Sequence, residues 1–193
     1  MQERNSDTFC PKNRKEWRKW LQKNHNTKES VWLVYYKKNT GMPTITWSEA
    51  VDEALCFGWI DSKAKPVDEA TFMHFFCKRK AKGTWSKINK EKIERLSKEN
   101  LMAPAGLAVI EAAKQNGSWT ILDEVEELII PNDLAKAFKT RPGSKAFFLS
   151  LSKSVKKMML SWLVLAKREE TRQKRIEEIA DHAAQKLRPK QFR

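Results

Sequence analysis

The densest set of chemically capable residues is Lys78-Arg-Lys-Ala-Lys-Gly-Thr-Trp-Ser86. Lys78, Arg79, Lys80 and Lys82 precede Gly83, and Ser86 reads as the N-cap of the helix that follows. Unpaired amides and the dipole at a helix N-terminus favour an anion, and an arginine fork suits phosphate or carboxylate. Trp85 can stack on a base or ring, while Ser86 and Asn89 can add hydrogen bonds. The same residues also fit a solvated basic hairpin end, with Trp85 in the core and Ser86 only capping. Lys87, Lys90 and Lys92 extend the positive surface, moderated by Glu91 and Glu94.

A second set could do acid-base or nucleophilic work. Hydrolysis needs a nucleophile beside a base, or carboxylates with separated pKa values. Only Cys56, His74 and Asp61 could form such a trio, and Cys56 falls in the last turn of a helix, where the dipole disfavours a thiolate. Three cysteines (Cys10, Cys56, Cys77) and three histidines (His25, His74, His182) are scattered at no metal-ligand spacing. No Walker loop or dinucleotide glycine pattern is present, so neither metal nor cofactor is expected.

The elements that must position these groups are legible in places. Thr46 and Glu49 form a capping box, and Glu49, Asp52 and Glu53 crowd the positive end of a helix whose apolar stripe is Trp47, Val51, Ala54 and Leu55. Gly58 can take the left-handed conformation that ends it. The period then changes to two, which puts Trp59 and Asp61 on one face of a strand. Residues 12–24 read as a helix, with Trp17, Trp20 and Leu21 inward. Val31–Tyr36 reads as a strand covered on both faces, and Thr71–Cys77 as the hairpin partner of the Trp59 strand. A helix from Ser86 to about Asn100 turns Ile88, Ile93 and Leu96 inward, and another runs from about Ala105 to Asn116.

From Asn132 the pattern is helical, broken by Arg141-Pro-Gly143. In the last helix Ile176, Ile179, Ala180, Ala183 and Leu187 share an apolar face. Arg172 falls inside that arc unless the helix restarts at Thr171. An arginine on a core face needs a carboxylate or a ligand. The expected fold is therefore α+β: a small, largely antiparallel sheet flanked by helices, then a helical region. Residues 1–117 form the α+β domain, 118–131 an acidic connector, and 132–193 a basic helical region packed on the first.

The net charge of +14 over 193 residues is unevenly spread. Residues 1–131 carry 22 Lys/Arg against 18 Asp/Glu, and residues 132–193 carry 16 against 6. Such asymmetry points to nucleic acid, an anionic surface or an acidic partner. No segment approaches the ~20 apolar residues of a membrane helix, and the N-terminus lacks an apolar signal region. A cytoplasmic protein is expected.

Several segments in order carry a family resemblance: Val31-Trp-Leu-Val-Tyr-Tyr-Lys37, Trp47 to Asp61, Arg79 with Trp85-Ser86 and Asn89, and Trp162 with Ala166 to Ile176. Over roughly residues 15 to 187 the chain resembles the bacteriocin-protection, YdeI or OmpD-associated family. The family's usual Pro-Arg-Lys appears here as Lys78-Arg79-Lys80, without the proline. The resemblance implies a role in envelope stress and resistance to cationic antimicrobial peptides, without established catalytic residues. Joined to the charge pattern, it leads to the expectation of a protein that binds an anionic ligand, nucleic acid or a protein partner. The ligand-binding candidates are Trp59, Asp61, Arg79, Lys80, Trp85, Ser86, Asn89 and Arg172. The alternative is an enzyme on a small anionic substrate, with Asp61 as acid or base and Arg79 as anchor.

Overall fold

The computed structural model describes residues 7–192. Within them the chain divides into two compact units, the first ending at Trp119 and the second beginning at Thr120. The fold is α+β, with the strands confined to the first unit and the second wholly helical.

In the first unit a sheet of order β1-β2-β4-β3 is formed by β1 (Thr8–Phe9), β2 (Ser30–Tyr36), β3 (Trp59–Pro66) and β4 (Thr71–Lys78). β2 and β3 each pair antiparallel with β4, while the two-residue β1 pairs parallel with β2. The hairpin expected between the Trp59 strand and Thr71–Cys77 is present, with a register shift between Asp61 and Ala64. β2 is not covered equally on both sides. Val31, Leu33 and Tyr35 are buried and alternate with half-buried Trp32, Val34 and Tyr36.

The buried sheet face packs on α1 (Arg14–Asn24) and α2 (Trp47–Cys56). Trp17 meets Phe76 edge-on and donates its indole N–H to the Ala50 carbonyl, fixing α1 to both sheet and α2. α2 touches α1, β3, α3 (Lys87–Lys98) and α4 (Pro104–Gln115). Its start follows from local chemistry: Thr46 Oγ1 accepts from the Glu49 amide, and Glu49 accepts in return from the Thr46 amide. Gly58, at φ 73°, turns the chain out of α2 and into β3.

Two residues assigned inward by periodicity point outward. Trp47 is 47% exposed and Ile88 64% exposed, because each lies in the first turn of its helix, beyond the edge of the core. Asp52 and Glu53 depart the other way. Both are buried, Glu53 between Arg14 and Arg18 and Asp52 between Lys92 and Arg95. Two carboxylates on α2 thus bind α1 on one side and α3 on the other.

The second unit contains α5 (Asp123–Glu126), α6 (Asn132–Lys139), α7 (Ser144–Ser150), α8 (Lys153–Val164) and α9 (Glu169–Ala184). Its core joins Leu134, Phe138, Phe148, Leu160 and Leu163 to Ile176, Ile179, Ala180 and Ala183 of α9. Leu187 lies past the end of α9 and is exposed. α9 begins at Glu169 rather than Thr171, so Arg172 does belong to the helix.

Candidate functional site: the Arg79 loop

The loop from Lys78 to Ser86 joins β4 to α3 and is held at several points. The Arg79 amide donates to the Gly58 carbonyl (3.0 Å), which ties the loop to the corner between α2 and β3. Gly83 closes a tight turn through its amide and the Lys80 carbonyl (2.8 Å). The Ala81 carbonyl accepts from Asn116 Nδ2 (2.8 Å) just beyond α4. Ser86 Oγ accepts from the Asn89 amide and caps α3.

At the centre is Arg79. Its guanidinium lies 3.5 Å from the ring centroid of Trp85, and its Nη2 donates to the Thr84 carbonyl at 2.7 Å. Its Nε is buried without a hydrogen-bond partner, and no carboxylate lies within ion-pair distance among the described residues. Burial brings its pKa down to about 10, with the Asp61 charge acting in the opposite sense. Arg79 therefore stays charged at neutral pH while making no ion pair among the described residues. Trp85 is 2% exposed and sits against Trp119, so its accessible role is to carry the guanidinium. Trp119 and Asn116 were not candidates in the sequence; both lie thirty or more positions from the loop.

Two small pockets meet at Arg79. One, of ≈ 260 Å³, is lined by Ile60, Cys77, Lys78, Arg79, Lys80 and Thr84. The other, of ≈ 160 Å³, brings Arg79 together with Trp59, Gly58 and His25. Trp59 is 1% exposed, with its indole N–H directed at the His25 carbonyl (3.4 Å). Lys78 is engaged by Glu29 (2.7 Å), whereas Lys80 is exposed at the pocket rim.

Asp61 lines neither pocket. Its carboxylate accepts from the Trp47 indole N–H (2.8 Å) and lies 4.0 Å from His74 Nδ1. Nearby, the Tyr35 hydroxyl is buried without a partner among the described residues, next to Phe72 and His74. Burial pushes the His74 pKa below its ordinary value, against a smaller opposing effect of Asp61. Cys56 is buried, with its thiol pushed up to about 11 by burial and by Glu53, and is chemically quiet at neutral pH.

A pH prediction follows from His74. The unfolded chain binds a proton near pH 6.5, the native chain only below that, so stability falls as pH drops through about 6.5. Urea unfolding is expected to lose stability between pH 7.5 and 5.5 in the wild type and to flatten over that interval in His74→Gln.

Arg172 lies in the second unit and is satisfied there. It pairs with Asp133 (2.6 Å) at the start of α6 and donates to the Leu163 carbonyl at the end of α8. Burial raises the Asp133 pKa, but the Arg172 and Leu134 hydrogen bonds outweigh it and hold the carboxyl below its usual range. The carboxylate partner that its position on the helix demanded is thus internal.

Two family models match the chain. Residues 9–109 match one described as Domain of unknown function (DUF8412), and residues 127–186 match one described as Bacteriocin-protection, YdeI or OmpD-Associated. The second covers less of the chain than the resemblance traced in the sequence, and the Trp47–Asp61 motif falls within the first. No curated protein and no solved structure matches the chain.

Proposed function

This chain belongs, through residues 9–109, to the DUF8412 family, and from that premise we propose that its first unit binds a small anionic ligand at the Arg79 loop. The observation that carries the reading is a half-buried guanidinium with no carboxylate in ion-pair contact among the described residues. A desolvated charge normally needs a partner. Arg79 has a tryptophan face, one carbonyl and a buried Nε that bonds to nothing among the described residues. An anion entering beside it would supply the missing charge, and Lys80 stands at the rim to add a second cation. The Ser86-capped start of α3 follows in the same loop and favours the same sign of ligand.

The match of residues 127–186 supports setting this binding role within bacteriocin protection or stress resistance. The cation excess of residues 132–193 supports attraction to nucleic acid or an acidic protein partner as well. We also propose a cytoplasmic setting, for which three free cysteines speak. Among the described residues no helix is long and apolar enough to cross a membrane.

Calorimetric titration of the full chain with inorganic phosphate at low salt is expected to give saturable binding that weakens as salt rises. Arg79→Met is expected to weaken it by about tenfold or more. Its unfolding midpoint should stay or rise, since a lone desolvated cation costs stability. Wild-type binding unchanged in Arg79→Met, or no binding at all, would overturn the reading. The enzymatic alternative draws on the approach of Asp61 to His74. In that case Asp61→Asn abolishes turnover of an anionic substrate and leaves its affinity in place.

A further inference from the structure

The sheet of the first unit has a second face, and its composition is not that of a face left to water. An antiparallel sheet packed on one side commonly carries polar side chains on the other. Here α1 and α2 cover the face that holds Val31, Leu33, Tyr35 and Phe76. The opposite face carries Trp32, Val34 and Tyr36 from β2 with Met73 and Phe75 from β4, Trp32 standing opposite Phe75 and Val34 opposite Met73. All five are half-buried, and none belongs to a buried core or to the apolar residues packed around one. Trp32 and Phe75 meet edge to face across the strands, with ring centroids 5.1 Å apart. A contiguous apolar and aromatic surface of this kind marks a place for a partner.

The charges around the rings select that partner. Lys65 stands opposite Met73 in the β3–β4 register and sets its ammonium 4.6 Å from the Trp32 ring centroid. Lys63 is exposed on the same strand. Asp61 is the only carboxylate in β2, β3 and β4, and it takes the register of Phe76, on the helix-covered face. The open face thus joins rings to cations with no acid among them. A second copy of the chain laid face to face would set the same lysines against each other. A single-stranded nucleic acid meets both features at once, since its bases stack on aromatic side chains and its phosphates attract ammonium groups. We propose that this face binds single-stranded nucleic acid, with bases on Trp32 and Phe75 and the backbone on Lys65. In the free chain Lys65 covers the Trp32 ring; a phosphate draws the ammonium aside and a base takes its place. The surface is separate from the Arg79 recess, and the proposal goes beyond the small-anion reading.

The test is fluorescence anisotropy of a labelled oligothymidylate with the full chain at low salt, beside a duplex of the same length. Oligothymidylate is expected to bind saturably, more weakly as salt rises, and about fivefold or more tighter than the duplex, whose bases are already stacked. Phe75→Leu and Trp32→Leu keep an apolar residue in the strand, and each is expected to lower that affinity about fivefold or more. Lys65→Gln, at an exposed position, is expected to reduce the salt slope by about 0.7 and carries the test if the ring variants fail to fold. Absence of oligothymidylate binding overturns the proposal. Equal affinity for strand and duplex also overturns it, as does undiminished binding in the folded ring variants, since charge elsewhere then holds the strand. A wild-type dimer that the ring variants turn into a monomer, with oligothymidylate binding intact, overturns it as well and gives the face to a second copy.

Discussion

Gly106→Ala is expected to unfold the first unit or leave it barely stable, costing about 4 kcal/mol or more in urea denaturation. A Cβ at this position would stand 2.2 Å from the Cys56 carbonyl oxygen, 2.7 Å from its carbon and 2.9 Å from the Leu55 oxygen. All three are backbone atoms, and none can swing aside as a side-chain tip could. They lie at the end of α2, where the Ala103 amide also bonds to Cys56 O (3.0 Å) and brings the start of α4 hard against it. Relief would require α4 to move away from the Gly58 corner to which Arg79 is anchored. Anion binding should therefore fall with stability. Gly117→Ala is the control: it meets no atom within 4 Å, so only its left-handed backbone (φ 78°) opposes the change, at about 1 kcal/mol. Equal losses in the two variants would show that the close approach of α4 to α2 is not what Gly106 serves.

The second large effect is expected from Glu53→Gln, with a loss of about 3 kcal/mol, the low end for breaking a buried pair. The Glu53 side chain is only 3% exposed and takes Arg14 on one oxygen and Arg18 on the other. The two arginines are 34% and 27% exposed, so solvent relieves part of the penalty, which is why the low end applies. Arg18 also holds the Leu101 carbonyl (2.7 Å) and lies over Phe57. Loosening it frees the segment between α3 and α4 as well as α1. A triple replacement of Arg14 and Arg18 by Met with Glu53→Leu should recover much of the loss, because it removes the stranded charges along with the pair. A Glu53→Gln variant as stable as the wild type would place α1 under the control of Trp17 and Leu21 packing alone.

What the sequence made readable was local. The Thr46 capping box, the Gly58 turn and the Ser86 cap depend on residues within a few positions of each other, and all three are found. The β3–β4 hairpin is readable for the same reason. β1 is not: two residues carry no periodicity, and their parallel pairing with β2 spans more than twenty positions. Trp47 and Ile88 lay on apolar stripes by spacing, but periodicity takes no account of where a helix runs past the core. Glu53 read as a dipole-complementing carboxylate. The overlooked sign was the pair Arg14 and Arg18, four apart and so on one face of α1.

For the site, the cations and Trp85 were readable as a cluster, and of these Arg79 lies over Trp85 while Lys78 turns to Glu29. Their arrangement was not. Whether a guanidinium finds a carboxylate depends on every element that folds around it, and a Trp six positions away can take that place instead. Arg172 shows the opposite outcome. It looked equally in need of a ligand, and Asp133, thirty-nine positions upstream, meets that need.

The order of the sheet bears on the charge of the whole molecule. β3 is an edge strand, and among the described residues β2 is paired on its far side by the two residues of β1. An open edge invites another strand to add and propagate into polymer. Here the exposed half of β3 carries Lys63 and Lys65, is interrupted by the irregularity after Asp61, and ends at Pro66, which has no N–H to offer. Lys65 lies with its ammonium 4.6 Å from the ring centroid of Trp32, shielding an aromatic that would otherwise be a sticky surface. Part of the chain's positive charge is thus accounted for by protection against self-association, before any ligand is considered.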